Sequence, residues 1–382
     1  MKITAIIKKW IRTSYMYLCY ITRPRNEKNI YFASFRGQYS DNPRAISECL
    51  HRMAPDVKIV WMVMPQFRQY VPDYVTIVPP TPRLALKAQA QARVWVLNYI
   101  YRKQFGVYKG RDNFYIQTWH GDRGLKTIGY LTDYSKGRDY NGYDMSDCDL
   151  FMAASDYGVR KARQGFLYDG EIIVEGMPRN DKLVNIARYS DEAIEVRKCL
   201  GIGNDVKVLL YAPTFRDDRS CQQCAIDIAA SIANLEAKGK KWICLVRSHS
   251  LSKGISVGTD SPAYLDVTSY PDMADLLLIA DLLITDYSSC AGDFLLTGKP
   301  VVLAHFDKEE YEAQGRPLWV NPKEAGYLVA KNQDELNHIL ANLYSYDHRA
   351  IADKVNRFYE TKETGQSSEA IVRRIIQELN KN

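Results

Sequence analysis

The sequence predicts an α/β protein built from two Rossmann-like domains facing a cleft, plus an N-terminal amphipathic helix. Three observations carry that expectation. Short apolar runs of strand length alternate with helical stretches along most of the 382 residues, the pattern of a parallel sheet covered on both faces. The alternation breaks over residues 184–205 and then restarts, so the chain reads as two successive domains of ordinary size. Finally, the polar motifs follow directly on the strand runs, where open α/β sheets bind their ligands. The expected boundaries are residues 1–28 for the helix and a linker, 29–190 for the first domain and 191–382 for the second. The last helix is expected to pack back on the first domain.

The N-terminal helix comes first. Ile3, Ile6, Ile7, Trp10, Ile11, Leu18 and Ile21 recur at spacings of three, four and seven, and Lys2, Lys8, Lys9 and Arg12 occupy the other side. The net charge is +6. Lys2, Lys8, Lys9, Arg12, Arg23 and Arg25 supply all of it, because residues 1–25 contain no acid and the remainder balances to zero. So local a charge argues against a general nucleic-acid binder, which spreads or stripes its basic residues over a folded face. The uncharged run from Thr13 to Thr22 is about half of the roughly 20 residues that a spanning helix needs. No small-residue cleavage site follows, so a signal peptide is not indicated. Tyr15, Tyr17 and Tyr20 suit the headgroup zone, and the helix is expected to lie in an anionic membrane interface. The folded core should begin at Asn29, so that removing residues 1–22 touches few core contacts.

The first domain opens with a buried-strand run, Ile30 to Phe35, and Asp41-Asn42-Pro43 then starts a helix over 44–53. Strands are expected at Val57–Val63, Tyr74–Val78, Val94–Leu97, Phe114–Trp119, Leu150–Ala154 and Glu171–Val174, with an Ala/Gln/Lys-rich helix over 82–92. After a charged helix from Ser190 to Leu200, the second domain repeats the pattern. Its strands are expected at Val206–Ala212, Trp242–Val246, Leu282–Ile284 and Val301–Ala304. The eight cysteines give no disulfide or zinc framework. Cys221 and Cys224 have CxxC spacing but no second pair, and read as free thiols of a reducing compartment.

Three strand ends carry the chemistry. Thr285-Asp286-Tyr287-Ser288-Ser289 stops a buried strand and opens a helix through Asp293 to Leu296. Free N–H groups at a helix start, with the Ser288 and Ser289 hydroxyls, can hold a phosphate; a plain N-cap is the ordinary alternative. Arg247 and His249 share one loop, where a guanidinium gives bidentate contacts to a diphosphate and an imidazole can donate a proton. His120 ends another strand beside Gly121 and suits a general base toward a hydroxyl; read alone, either histidine could be a satisfied structural one. The GxGxxG, GxxxxGK[ST], HExxH and GxSxG signatures are absent. Neither a cofactor nor a metal is expected, the diphosphate charge being met by cationic side chains and a helix dipole.

Taken together, the motifs resemble those of the CDP-glycerol glycerophosphotransferases of teichoic acid and capsule synthesis, from about residue 30 to 365. They are Phe35-x-Gly37-x-Tyr39-Ser40-Asp41-Asn42-Pro43, Gln117-Thr118-Trp119-His120-Gly121 with Leu125-Lys126, Gly176-Met177-Pro178-Arg179-Asn180-Asp181, and Tyr211-Ala212-Pro213-Thr214-Phe215-Arg216-Asp217. Arg247-x-His249 and Ile284 to Ser289 with Asp293-Phe294 complete the set. One departure stands out: Asp122-Arg123-Gly124 precede Leu125-Lys126, one residue more than the family's usual spacing.

The resemblance implies a GT-B type fold, a peripheral position on the cytoplasmic face of the membrane, and a CDP-alditol donor. It implies an acceptor half in residues 29–190 and a donor half in 191–382, with His120 as the base and His249 as a catalytic ligand of the donor phosphate. The substrate-binding set it implies is Lys126, Arg179, Asn180, Thr214, Arg216 and Arg247. Thr285, Asp286, Ser288, Ser289, Asp293 and Arg316 extend that set. The expected reaction moves glycerol phosphate from CDP-glycerol to a hydroxyl of a lipid-linked surface-polymer acceptor and releases CMP. Alternatives are a CDP-ribitol-dependent transferase, a GT-B glycosyltransferase using a nucleotide sugar, and a non-catalytic membrane scaffold. The compact length leans toward single additions or short chains.

Overall fold

A computed structural model describes residues 3–23, 28–35, 37–100, 107–132, 145–214, 226–248, 264–313 and 317–381. The chain forms two compact units. The first comprises Met1–His120, Gly129–Asp181 and Lys362–Asn382, and the second Gly121–Ile128 and Lys182–Thr361.

The first unit holds a seven-stranded parallel sheet. Its strands are β1 (Asn29–Ala33), β2 (Lys58–Met62), β3 (Thr76–Val78), β4 (Val94–Leu97), β5 (Phe114–Gln117), β6 (Leu150–Ala153) and β7 (Glu171–Val174). Their order is β3-β2-β1-β4-β5-β6-β7. The β1, β4 and β6 runs are buried throughout, as strands covered on both faces must be. Ile30, Phe32, Trp61, Val94, Val96, Ile116 and Leu150 form one core cluster with Ile371, Val372 and Ile375 of the C-terminal helix Ser367–Leu379. That helix is held at its start by Asp181, whose carboxylate accepts the Ser367 and Ser368 N–H groups at 2.9 and 2.8 Å. An acid there answers the orphan donors of a helix N-terminus.

The second unit holds a six-stranded parallel sheet of β8 (Lys207–Ala212), β9 (Trp242–Val246), β10 (Tyr264–Asp266), β11 (Leu282–Thr285), β12 (Val301–Ala304) and β13 (Leu328–Ala330). Its order, β10-β9-β8-β11-β12-β13, is the doubly wound 3-2-1-4-5-6 order of dinucleotide-binding sheets. β10 and β13 were not expected from the sequence; three residues at a sheet edge show no readable period.

The unit boundary falls at 181/182 rather than 190/191. Lys182 explains the shift, because its ammonium pairs with Asp275 at 2.7 Å and Glu192 at 2.5 Å, both in the second unit. Residues 121–128 also leave the expected first domain. Trp319 N–H donates to the Leu125 carbonyl at 2.8 Å, Thr127 N–H to the Pro317 carbonyl at 3.0 Å, and Lys126 bridges Leu318.

The N-terminal helix runs Ile3–Ile21, and it is more than an appended anchor. Met16 and Cys19 are buried, and the helix packs on the helix Pro82–Gln91. Tyr20 and Arg23 both reach Asp112, at 2.9 and 3.0 Å. Deleting residues 1–22 would therefore strip packed contacts, contrary to the sequence expectation. The opposite face is the unusual one. Trp10 is 71% exposed and Ile11 63%, with Ile7, Leu18 and Ile21 exposed beside them. Among the described residues no helix is long and apolar enough to cross a membrane.

Candidate active site

In the first sheet the chain order reverses between β1 and β4, and ligands of such sheets bind beyond the strand ends at that point. Ala33 pairs with Leu97 and Leu97 with Gln117. The residues that follow are Ser34, Asn98 and Thr118-Trp119-His120, so three polar strand ends converge there. His120 Nδ1 lies 2.8 Å from the Asn98 carbonyl oxygen. A carbonyl can only accept, so Nδ1 carries a proton, and when the ring is neutral its lone pair lies on Nε2. That is the state a general base needs. The rings of Phe35 and Trp119 stand 5.2 and 4.3 Å from the imidazole.

A buried polar network holds this corner. Arg179 pairs with Asp41 at 2.8 Å and donates to the His120 carbonyl at 3.0 Å. Asn42 donates to the Trp119 carbonyl at 3.1 Å and accepts the Arg179 N–H at 3.1 Å. Phe35, Asp41 and Trp119 have φ of 28°, 63° and 51°, a region non-glycine residues seldom enter and one that gathers at functional sites. Arg179, expected to bind substrate, thus spends its guanidinium behind the histidine. Asn180 is fully buried and donates to Glu363 at 2.6 Å, which places it in the framework.

The second sheet reverses between β8 and β11, where Ala212 pairs with Thr285. Asp286 Oδ1 accepts the N–H groups of Thr214 and Tyr287 at 2.8 and 2.6 Å, tying the two strand ends together. The Thr285 hydroxyl donates to the Ala212 carbonyl at 2.6 Å. Both side chains therefore shape the loop. Ser288 and Ser289 remain half-exposed at its tip. The helix they open, Cys290–Phe294, has five residues before a 3₁₀ turn, so its dipole is weaker than the sequence suggested and hydroxyls and N–H groups must carry more. Behind the loop, His305 Nε2 meets the Asp286 carbonyl at 3.1 Å, and desolvation lowers its pKa. Tyr287 stacks on Tyr311 at 3.9 Å.

Arg247 follows β9, and desolvation lowers its pKa while nearby Asp272 opposes the shift. Its Nη1 and the Ser248 hydroxyl are buried with no hydrogen-bond partner among the described residues. An enclosed guanidinium with an open donor is suited to an anion. His249, Arg216, Arg316, Cys221 and Cys224 lie outside the described residues.

Asp293, expected at the substrate, is instead paired with Arg123 at 3.2 Å, with side-chain exposures of 7% and 0%. Gly292 makes room, since a Cβ there would stand 2.9 Å from the Arg123 Cβ. Lys126 belongs to the same segment of the second unit. The expectation of no metal rests in part on reading no Asp-x-Asp triplet, and that reading is corrected: the sequence holds one, Asp147-Cys148-Asp149, a common arrangement of carboxylates toward a metal. It precedes β6, at the amino edge of the sheet, and Asp149 pairs with Lys109 at 2.9 Å. Among the described residues no group of three metal-ligating side chains occurs.

Sequence reasoning missed Asn98, Asp41 and Arg123. For Asn98 a signal existed, a lone polar residue ending the run Val94–Leu97.

Residues 15–377 match the family described as CDP-Glycerol:Poly(glycerophosphate) glycerophosphotransferase. The chain is 30% identical over 404 residues to the teichoic acid poly(glycerol phosphate) polymerase of Bacillus subtilis, covering 98% of this chain and 52% of that protein. It is 29% identical over 391 residues to the teichoic acid glycerol-phosphate transferase of Staphylococcus aureus, covering 97% of this chain and 98% of that protein. It thus spans about half the length of the Bacillus subtilis and Staphylococcus epidermidis polymerases it matches. A solved structure of the wall teichoic acid polymerase TagF superposes with a TM-score of 0.83 at 26% identity, covering 99% of this chain and 98% of that one.

Proposed function

This chain belongs to the CDP-glycerol:poly(glycerophosphate) glycerophosphotransferase family, and on that footing we propose that it transfers glycerol phosphate from CDP-glycerol to a hydroxyl of a teichoic acid acceptor, releasing CMP. The GT-B type of fold goes with this reading. The observation that carries it is His120, held at the switch point of its sheet with Nδ1 against a backbone carbonyl.

In this reading His120 Nε2 takes the proton of the acceptor hydroxyl, whose oxygen attacks the β-phosphorus. The bond from that phosphorus to the CMP oxygen breaks, and CMP leaves with the electron pair. Phosphoryl transfer of this kind is mostly positioning and charge stabilisation. Arg247, Ser288 and Ser289 take the donor diphosphate, and His249 is assigned beside Arg247. No metal enters the reading, so activity should persist in EDTA. Loss on chelation with recovery in Mg²⁺ would contradict it.

Arg247→Ala should raise the KM for CDP-glycerol about tenfold to hundredfold, the worth of a hydrogen bond to a charged group, and the double variant Ser288→Ala/Ser289→Ala should raise it in the same direction. Normal donor saturation with altered acceptor kinetics alone would remove these residues from the donor site. The reading as a whole is tested by mass spectrometry of products formed from CDP-glycerol, CDP-ribitol and nucleotide sugars in turn. A mass gain of one glycerol phosphate with CDP-glycerol supports it. Ribitol phosphate addition alone would move the protein to a CDP-ribitol donor, and sugar addition would refute phosphate transfer.

We place the protein peripherally on the cytoplasmic face of the membrane, acting on a lipid-linked acceptor. The outward apolar stripe of the N-terminal helix supports this, because Trp10, Ile11 and Leu18 are exposed beside Lys8 and Lys9, as an interfacial helix requires. Replacing Trp10, Ile11 and Leu18 together by serine leaves the packed face intact. The variant should keep its fold and lose flotation with anionic vesicles. Undiminished flotation would move the anchor elsewhere.

A further inference from the structure

We propose that Asn98 is the positioning residue of His120, its carbonyl taking the Nδ1 proton and its buried side chain fixing that carbonyl so that Nε2 faces the reaction. The inference rests on His120 acting as the base.

The geometry is specific. Asn98 follows β4 and is fully buried. Its carbonyl oxygen meets His120 Nδ1 at 2.8 Å. All of its side-chain polar capacity faces the same corner. Oδ1 accepts the Phe35 N–H at 3.0 Å. Nδ2 donates to Asp41 Oδ2 at 2.6 Å and to the Ser34 hydroxyl at 3.1 Å. One residue thereby joins the ends of β1 and β4, the start of the helix Asp41–Met53 and the imidazole at the end of β5. Phe35 and Asp41 hold positive φ, so these hydrogen bonds also offset backbone strain. Among the described residues, Arg179 donates to the His120 carbonyl and Asp41 stands behind Arg179. A backbone carbonyl on the remote nitrogen sets the tautomer and strengthens the basicity of the other nitrogen, as it does for histidines that bind metals.

Two substitutions separate this role from simple support of the fold. Asn98→Ala frees the carbonyl, which weakens the bond to Nδ1–H and the stabilisation of the imidazolium. Asn98→Asp keeps the shape and, where the amide meets Asp41 at 2.6 Å, shares one proton with that carboxylate instead of adding a second charge, so the contact that fixes the carbonyl survives. In Asn98→Ala, kcat should fall roughly 10²-fold, the order reached when a catalytic group is misplaced by about an ångström. The KM for CDP-glycerol should hold, and the acid limb of the kcat profile should move to lower pH. In Asn98→Asp kcat and the limb should return close to those of the unaltered protein. A merely structural residue would lower activity without moving the limb. An unmoved limb or an unchanged kcat in folded Asn98→Ala would overturn the proposal.

The intact protein offers a second readout that does not depend on a variant folding. In ¹⁵N spectra, with His120 assigned by its loss in His120→Gln, the neutral ring should carry its proton on Nδ1. A proton on Nε2 would overturn the proposal. If His120→Gln retains full turnover, the base assignment itself fails; if it is inactive while the Asn98 tests fail, only the positioning role is lost.

Discussion

His120→Ala is expected to lower turnover by about 10²–10⁴-fold, the usual contribution of a positioned general base, while calorimetry finds CDP-glycerol affinity nearly unchanged. The split follows from chemistry and placement. The only proton the reaction must remove is the acceptor's, and His120 belongs to the first unit, whereas Arg247, Ser288 and Ser289 belong to the second. The backbone around His120 is held by Asn42 and Arg179, so truncating the ring should leave the corner standing. Lost donor affinity in this variant would reverse the assignment of sides.

Arg123→Met is the second large expectation, and its effect falls on stability. The guanidinium has no exposure and pairs with Asp293 at 3.2 Å, with Asn356 at 3.4 Å. Removing one member of a buried ion pair strands the other charge in a medium of low polarity, which costs about 3–5 kcal/mol. Asp293→Leu should cost a similar amount by the same route. Together the two should cost far less than their sum, because the double variant strands no charge. Denaturant midpoints of the four proteins measure this. Additive losses would mean that the two side chains are not coupled.

How legible was this molecule in its sequence? The buried runs Val94–Leu97 and Leu282–Ile284 announced themselves because parallel strands covered on both faces are apolar throughout. His120, Arg247 and Ser288 stand out as candidates because polar residues directly after such runs lie at the edge where open sheets bind ligands. Arg179 and Asp293 were drawn toward substrate because a charged residue in a motif reads as a ligand contact. Their true partners, Asp41 and Arg123, lie far along the chain, and a pairing of that kind has no local signature. The segment 121–128 shows the same limit. Nothing in Asp122-Arg123-Gly124 tells that it joins the second unit through Leu318 and Trp319. The N-terminal helix was legible as a helix from its spacing, but which face is outward depends on Met16 and Cys19 finding a packing surface.

The central claim is that the transferred group includes a phosphorus atom, and one labelling experiment addresses it. CDP-glycerol carrying ³²P at the β position, next to glycerol, is incubated with the protein and a teichoic acid acceptor. Attack at the β-phosphorus predicts label in the polymer and unlabelled CMP in solution. Label recovered in a released nucleoside diphosphate, with none in the polymer, would contradict the account.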